Sequence, residues 1–265
     1  MKTETPSVAG SSKSQIANRK SQILSHYPAL PPPINVPLAW LPDHPCPYLP
    51  GRTVSDRVIW AGSMAPGTYE QFMDAGFRRS GKLVYQPACR GCRACRPIRI
   101  RVADFRPDKS QRRCARGNAD LRVTHAPPVA SSEKLEMYQR YLHDWHGRED
   151  VEDSSAFASF LYDSPLNTTV EFEYRDASSR LLAVGICDAC PQSLSSVYFY
   201  FDPDESHRGL GTFGILCEID FAAARGLRYY YLGYWVTGCQ KMEYKSAFRP
   251  NEVLDGDGVW RPAHK

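Results

Sequence analysis

The feature that most constrains this chain is the order of its hydrophobic periods between residues 131 and 250. Ser131 or Ser132 can cap a helix in which Leu135, Tyr138, Leu142 and Trp145 fall on one face, with Tyr141 beside them. Three stretches of period two follow: Val170, Phe172, Tyr174, then Leu181 to Cys187, then Val197, Phe199, Phe201. They read as strands with one buried face. The glycine turn His207-Arg-Gly-Leu-Gly-Thr212 then opens a helix carrying Phe213, Leu216, Ile219 and Ala223, which stops at Gly226. Tyr229 to Trp235 is an aromatic strand, and Gln240 to Phe248 predicts a last short helix. Helix, three strands, glycine turn, helix, strand, helix is an α+β pattern.

That order is similar to the N-acyltransferase fold of the acetyltransferase superfamily, a likeness of fold that by itself implies no chemistry. A glycine turn at a helix N-terminus offers backbone N–H groups to an anion, and His207 and Arg208 stand where a relative of that fold binds the pyrophosphate of coenzyme A. Upstream the chain has a different character. Residues 1–38, with Ser11-Ser-Lys-Ser14 and Pro31-Pro-Pro33, show no sustained period and are expected to form a disordered arm. Residues 39–122 form a basic, cysteine-bearing N-terminal domain, and 130–255 the acyltransferase-like domain. In the former, Thr68 to Ala75 predicts a short helix burying Tyr69, Phe72 and Met73. Ile98, Ile100 and Val102 alternate with Arg99, Arg101 and Ala103, which reads as a half-buried strand with a cationic outer face, and Asp104 to Arg116 as a polar connection.

Charge separates the two parts. The whole chain carries 33 Lys/Arg against 29 Asp/Glu, a formal +4 that suggests no polyanion partner. Between Arg78 and Arg122, however, stand fourteen Lys/Arg and three acids, and the remainder is net acidic. A basic block of that density is the footprint of a polyanion-binding surface. The 42% hydrophobic content fills a sizeable core, while no run of about 18 apolar residues suggests a membrane span. The first residues lack the apolar centre of a secretory signal, so a cytoplasmic location with reduced cysteines is expected.

Nine cysteines are present. Cys89-x-x-Cys92-x-x-Cys95 gathers three thiols in one tight loop, a spacing suited to a metal ion, with Cys46 as the first candidate for a fourth ligand and Cys114 or His44 behind it. Zinc or an iron–sulfur cluster fits this set, and so does a loop of free thiols. Cys187-Asp-Ala-Cys190 ends a strand rather than opening a helix, so it is expected to be structural, as is Cys217. His143 and His146 lie three apart on a helix with no evident third ligand and are expected to be plain surface or core histidines.

Four segments together carry a resemblance: Cys46-Pro-Tyr-Leu-Pro-Gly-Arg52; Tyr85-Gln-Pro-Ala-Cys-Arg-Gly-Cys-Arg-Ala-Cys-Arg-Pro97; Phe105 to Arg113 with Ser110-Gln-Arg-Arg113; and Tyr231-Leu-Gly-Tyr-Trp-Val-Thr-Gly-Cys-Gln-Lys-Met-Glu-Tyr-Lys245. Over roughly residues 40–255 the chain resembles the N-end-rule aminoacyl-tRNA–protein transferases, and within them the bacterial aspartate/glutamate leucyltransferases, sister to the arginyltransferases. The single cysteine before Tyr48 matches the bacterial form. The resemblance implies transfer of leucine from leucyl-tRNA to the N-terminal Asp or Glu of acceptor proteins, marking them for degradation, with no cofactor beyond the aminoacyl-tRNA.

Such a reaction is aminolysis of an activated ester. It needs positioning, a mild base for the amine proton and donors for the oxyanion. Asp202 and Glu218 are the candidates for amine binding or proton removal, and Tyr234 and Tyr244 for donation to the oxyanion or the leaving ribose oxygen. Arg78, Arg79, Arg112 and Arg113, with Lys241 and Lys245, are the candidates for tRNA phosphates, and Tyr85, Phe105 and Tyr234 for stacking its unpaired bases. An acidic N-terminal residue also calls for an Arg or Lys near its side chain. Three other readings compete. Arginine could replace leucine as donor. Arg208-Gly-Leu-Gly211 could serve an acetyl-coenzyme-A-dependent acetyltransferase, although Phe213 occupies the final small position of that motif. The basic cysteine-rich part could be a non-enzymatic, metal-stabilised nucleic-acid-binding module.

Overall fold

The computed structural model describes residues 35–149 and 153–263, so the arm expected over residues 1–38 lies almost wholly outside the described residues. In chain order the strands are β1 (Ala39–Trp40), β2 (His44–Pro45), β3 (Thr53–Val54), β4 (Asp56–Trp60), β5 (Arg78–Ser80), β6 (Leu83–Pro87) and β7 (Cys95–Arg101). Then come β8 (Arg122–Ala126), β9 (Thr169–Arg175), β10 (Leu181–Ala189), β11 (Ser193–Phe201), β12 (Tyr229–Val236), β13 (Asn251–Leu254) and β14 (Trp260–Pro262).

The three period-two segments become β9, β10 and β11, paired antiparallel as a meander. A parallel return strand requires a long crossover. The Leu210–Ala224 helix supplies it, and β12 comes back parallel to β11. The α+β acyltransferase order is thus realised, within an eight-stranded sheet of order β14-β13-β7-β12-β11-β10-β9-β8. That sheet crosses the division expected between residues 122 and 130, because β7 lies between β12 and β13 and β8 forms the far edge. The described residues form one compact unit.

Packing follows from composition. The crossover helix buries Leu210, Phe213, Ile215, Leu216, Ile219, Phe221 and Ala222. Gly214 lets it press onto β11, since a Cβ there would fall 2.2 Å from the Phe199 ring. The Pro66–Asp74 helix buries Tyr69, Phe72 and Met73, as its sequence predicts, in a second cluster with Phe77, Val84, Leu166 and Tyr231. A four-stranded sheet of order β1-β4-β6-β5 lies in the same part of the chain.

Three local readings change. The polar connection contains a helix, Lys109–Gly117, started by a reciprocal capping box between Asp108 and Gln111. The last helix is shorter than predicted: Gln240–Glu243 gives way to a 3₁₀ turn over Tyr244–Ala247. Strand β7 has no open cationic face at Arg99, which pairs with Asp74 and Glu252 at 2.8 Å each. Its Cζ lies 3.8 Å and 4.2 Å from the ring centroids of Tyr229 and Trp260.

Candidate active site

The parallel pairing of β11 with β12 is short. Ser193, Leu194 and Ser195 pair with Tyr229, Tyr230 and Tyr231, and the register goes no further. On the other edge of β12 the register with β7 shifts between Tyr231 and Gly233, and Gly233 takes the left-handed φ of +92°. A cavity of about 520 Å³ is walled by the residues that come next on each strand: Ser196 to Phe199 from β11, and Leu232, Gly233 and Tyr234 from β12. Ile215 and Glu218 of the crossover helix, Arg78 and Tyr85 from β5 and β6, and Lys241, Met242, Tyr244 and Lys245 from the last helical segment also line it.

Glu218 is 1% exposed. The Tyr230 hydroxyl donates to one of its carboxyl oxygens, and the other stands so close to β10 that a Cβ on Gly185 would meet it at 2.7 Å. Burial pushes this carboxyl up to about 7, against smaller opposing effects of hydrogen bonds from Tyr230, Cys187 and Ser196. A carboxyl poised near neutral pH suits a general base working at that pH.

Two basic side chains gather around Gly233. Arg78 is 4% exposed. Its Nη1 and Nη2 donate to the carbonyls of Phe77 and Gly233 at 3.3 and 3.4 Å, and its Nε has no partner among the described residues. The Lys245 Nζ would lie 3.4 Å from a Cβ on Gly233. Burial, then the charge of Arg78, lowers the Lys245 pKa to about 7. Neither cation has a carboxylate partner among the described residues. Two cations facing one cavity without a counter-charge form a site for an anion.

Of the predicted tyrosines, Tyr244 is 44% exposed at the cavity. Its phenol ionises well above neutral pH, as a tyrosine's ordinarily does, so it stays a proton donor. Tyr234 is different. Its hydroxyl is already given to the Gly76 carbonyl at 2.9 Å, which removes it as an oxyanion donor and leaves its ring as wall, 6.1 Å from that of Tyr85. Lys241 is exposed at the rim, with Nζ 3.1 Å from His146 Nδ1. His146 lines the cavity too, a placement that its spacing with His143 does not reveal.

Arg79 borders the same cavity, but its guanidinium is held in a bidentate pair with Asp188, at 2.5 and 2.8 Å, and gives Nη1 to the Gly81 carbonyl, so its charge is already paired inside the protein. Other candidates are not brought together there. Asp202 caps the turn that follows β11 and accepts from Arg140 at 2.8 Å. It does not line the cavity. Arg112 and Arg113 sit exposed on the Lys109–Gly117 helix, away from the cavity. Phe105 stacks in the core on Phe248, ring centroids 6.3 Å apart, and presents no face to a base.

Arg113 instead borders an open depression with Cys114, His207, Arg208 and Gly209. The glycine turn of the pyrophosphate reading meets the Lys109–Gly117 helix here. The Cys114 thiol bonds the Gly209 carbonyl at 3.4 Å, and Arg208 is held by Asp120 and Glu205 at 3.0 and 2.8 Å. The Lys109–Gly117 helix thus packs against the glycine turn.

The cysteine loop lies elsewhere. Burial, then the charges of Cys46, Cys89 and Cys92, push the Cys95 thiol up to about 12. Among the described residues no group of three or more His, Cys, Asp or Glu side chains is arranged to hold a metal ion. Cys187 and Cys190 are buried. No helix of the described residues is long and apolar enough to cross a membrane.

Comparison with known proteins gives this geometry its family. Residues 44–113 match the N-terminal model, and residues 133–255 the C-terminal model, of the arginine-tRNA–protein transferases. The aspartate/glutamate leucyltransferase of Halorhodospira halophila is 42% identical over 82% of this chain and 93% of its own. That of Nitrosococcus oceani is 43% identical over 83% and 92%. The crystal structure of FemX aligns at 9% identity and a TM-score of 0.43, covering 66% of this chain and 61% of its own. The chain belongs to the arginine-tRNA–protein transferase family of aminoacyltransferases.

Proposed function

We propose that this protein moves leucine from leucyl-tRNA to the N-terminal Asp or Glu of acceptor proteins, in the cavity opened where β11 and β12 part. The observation that carries the reading is the content of that cavity: one near-neutral carboxyl at Glu218, two unpaired cations at Arg78 and Lys245, and aliphatic wall at Val197, Ile215, Leu232 and Met242. The named relatives act on aspartate or glutamate with leucine.

Each group has a part in the reaction. The acceptor's α-amine, with an ordinary pKa near 8, is partly protonated at neutral pH. Glu218 takes its proton, and the freed nitrogen attacks the ester carbonyl carbon. Tyr244 donates a hydrogen bond to the developing oxyanion. The surplus proton on the attacking nitrogen passes to the ribose oxygen, which leaves as a hydroxyl as the intermediate collapses, and an amide bond replaces the ester. Arg78 and Lys245 hold the acceptor's side-chain carboxylate, which moves them from phosphate binding to acceptor recognition. For the donor side chain the lining favours leucine over arginine. A guanidinium requires carboxylate partners, and Glu218 is the one carboxyl in the lining.

Incubating the protein with radiolabelled leucyl-tRNA and peptides beginning with Asp, Glu or Ala tests the reading. Label should enter the acidic peptides alone, and ribonuclease treatment of the tRNA beforehand should abolish it. Equal labelling of the Ala peptide, or no transfer to any peptide, would sink it.

A further inference from the structure

Glu218 borders the reacting cavity and yet is 1% exposed, pressed between the crossover helix and the sheet. A general base has to come within about 2.6–3.2 Å of the proton it takes, or reach it through one water. An acceptor amine entering from solvent meets other atoms first, and the strand register shows which. Residues paired across neighbouring strands share a face of the sheet, as do alternate residues along one strand. Cys187 of β10 pairs with Ser196 of β11, and Leu194 of β11 with Tyr230 of β12. Tyr230 gives its hydroxyl to Glu218, and Gly185, two residues before Cys187, faces the other carboxyl oxygen. Ser196 therefore stands on the sheet face that Glu218 covers.

The Ser196 hydroxyl is within hydrogen-bonding reach of both Glu218 and Tyr230. Of the groups that hydrogen-bond the carboxyl it is the one with open surface: Tyr230 and Cys187 are fully buried, whereas Ser196 is half-buried and lines the cavity. The backbone explains this. Pairing with β12 ends at Ser195, and Val197 has no partner on β10, because the register passes from Ser196 opposite Cys187 to Tyr198 opposite Ile186. Ser196 thus sits between the last residue paired with β12 and a β-bulge, a device that re-aims side chains beside active sites. Ser195, its neighbour, turns to the opposite face and is fully buried.

We infer that the Ser196 hydroxyl is a catalytic relay, carrying the proton of the acceptor's α-amine to Glu218; the inference rests on the transfer reaction proposed above. A serine hydroxyl has one proton to give and lone pairs to accept another. The ammonium passes its proton to Ser196 Oγ as the Oγ–H proton moves to the Glu218 carboxylate. One N–H and one O–H bond break, an O–H bond forms at each oxygen, and Ser196 ends as the hydroxyl it began. The freed amine keeps its lone pair for the ester carbonyl. Burial makes a carboxylate more basic, and the relay lets Glu218 stay buried while its proton crosses the cavity wall.

The test measures leucyl transfer to an Asp-initial peptide by wild type, Ser196→Ala, Ser196→Thr, Ser195→Ala, Glu218→Gln and the double variant Ser196→Ala with Glu218→Gln. Ser196→Ala should lower kcat by about 10²-fold, the lower end of a general base's contribution, with the KM for leucyl-tRNA and for peptide unchanged. Ser196→Thr keeps a hydroxyl and should recover most of the rate, and Ser195→Ala should match wild type. The double variant should be no slower than Glu218→Gln, since both groups serve one proton transfer. Single-turnover rates in mixtures of H2O and D2O separate a relay from mere positioning of Glu218. Their dependence on deuterium fraction should be curved in wild type, where two protons move together, and closer to linear in Ser196→Ala. Ser196→Cys, whose thiol is a weak donor, repeats the removal if Ser196→Ala does not fold. A removal variant as fast as wild type, a Thr variant no better than Ala, a Ser195→Ala loss as large as that of Ser196→Ala, or equal curvature in the two solvents' mixtures overturns the relay alone. No leucyl transfer by wild type, or a Glu218→Gln variant of full activity, overturns the proposed reaction and the relay with it.

Discussion

Replacing Glu218 by Gln should make the protein more stable and less active at once. The ordinary value for this carboxyl is 4.5, and burial raises it to about 7. The folded state therefore binds more protons than the unfolded state between those values. Stability falls as pH rises through the window, because the folded protein must ionise a buried group that the unfolded chain ionises in water. The shift of 4.5 to about 7 is worth about 3 kcal/mol once pH exceeds the folded value. Gln is never charged, and its carbonyl still accepts the Tyr230 hydroxyl, so the variant escapes the penalty. At pH 8 its melting temperature should exceed that of wild type by roughly 6–12 °C for a domain of this size, and below pH 5 the two curves should converge. The neighbours that face Glu218 do not mimic this, since burial raises Tyr174, Cys187 and Tyr230 far above the window, Tyr244 to about 12 and Cys217 to about 12. Differential scanning fluorimetry across pH 4.5–8.5, alongside turnover at pH 7, makes the measurement. Transfer should fall by about 10²–10⁴, the usual contribution of a general base. A constant offset between the melting curves, or a variant as active as wild type, would refute the strained-base account.

Two further outcomes follow from other contacts. Lys245, lowered to about 7 by burial and Arg78, is held protonated by a bound carboxylate; the KM for an Asp-initial peptide should therefore rise from pH 7 to pH 9 in wild type and stay nearly flat in Lys245→Met, with the KM for leucyl-tRNA unaltered. Asp188→Asn leaves Arg79 buried without its counter-charge and should destabilise the protein by about 3–5 kcal/mol in urea unfolding, whereas Arg112→Ala, on an exposed helix, should leave the midpoint unchanged.

Much of the fold was legible because its signals are local. Period two in β9 to β11, the glycine stop at Gly226 and the Ser131 cap that accepts from the Lys134 N–H are set by neighbouring residues and survive folding. The errors come from partners far away in sequence. Arg79 reads as a free cation until Asp188, 109 residues later, pairs with it through two of its nitrogens. Arg99 reads as an outward charge until Trp260 and Tyr229 cover it. Tyr234 loses its hydroxyl to Gly76, and Asp202 is claimed by Arg140. Local pattern could have given one feature that was missed, the Asp108-x-x-Gln111 box that starts a helix inside the polar connection. Glu218, Tyr244 and Lys245 were found from residue type and motif, but the reason they meet, the parting of β11 from β12, lies in a register that spacing alone does not encode.

The central claim is that a cavity with two unpaired cations and one neutralisable carboxyl joins leucine to an acidic N-terminus. Its most direct test is the ratio of kcat/KM for an Asp-initial peptide to that for its uncharged isostere beginning with Asn, measured with leucyl-tRNA and arginyl-tRNA side by side. The account predicts leucyl-tRNA as the donor and a preference of about 100-fold or more for Asp, because Asn leaves Arg78 and Lys245 without a counter-charge. Equal rates for Asp and Asn, or transfer from arginyl-tRNA in place of leucyl-tRNA, would contradict it.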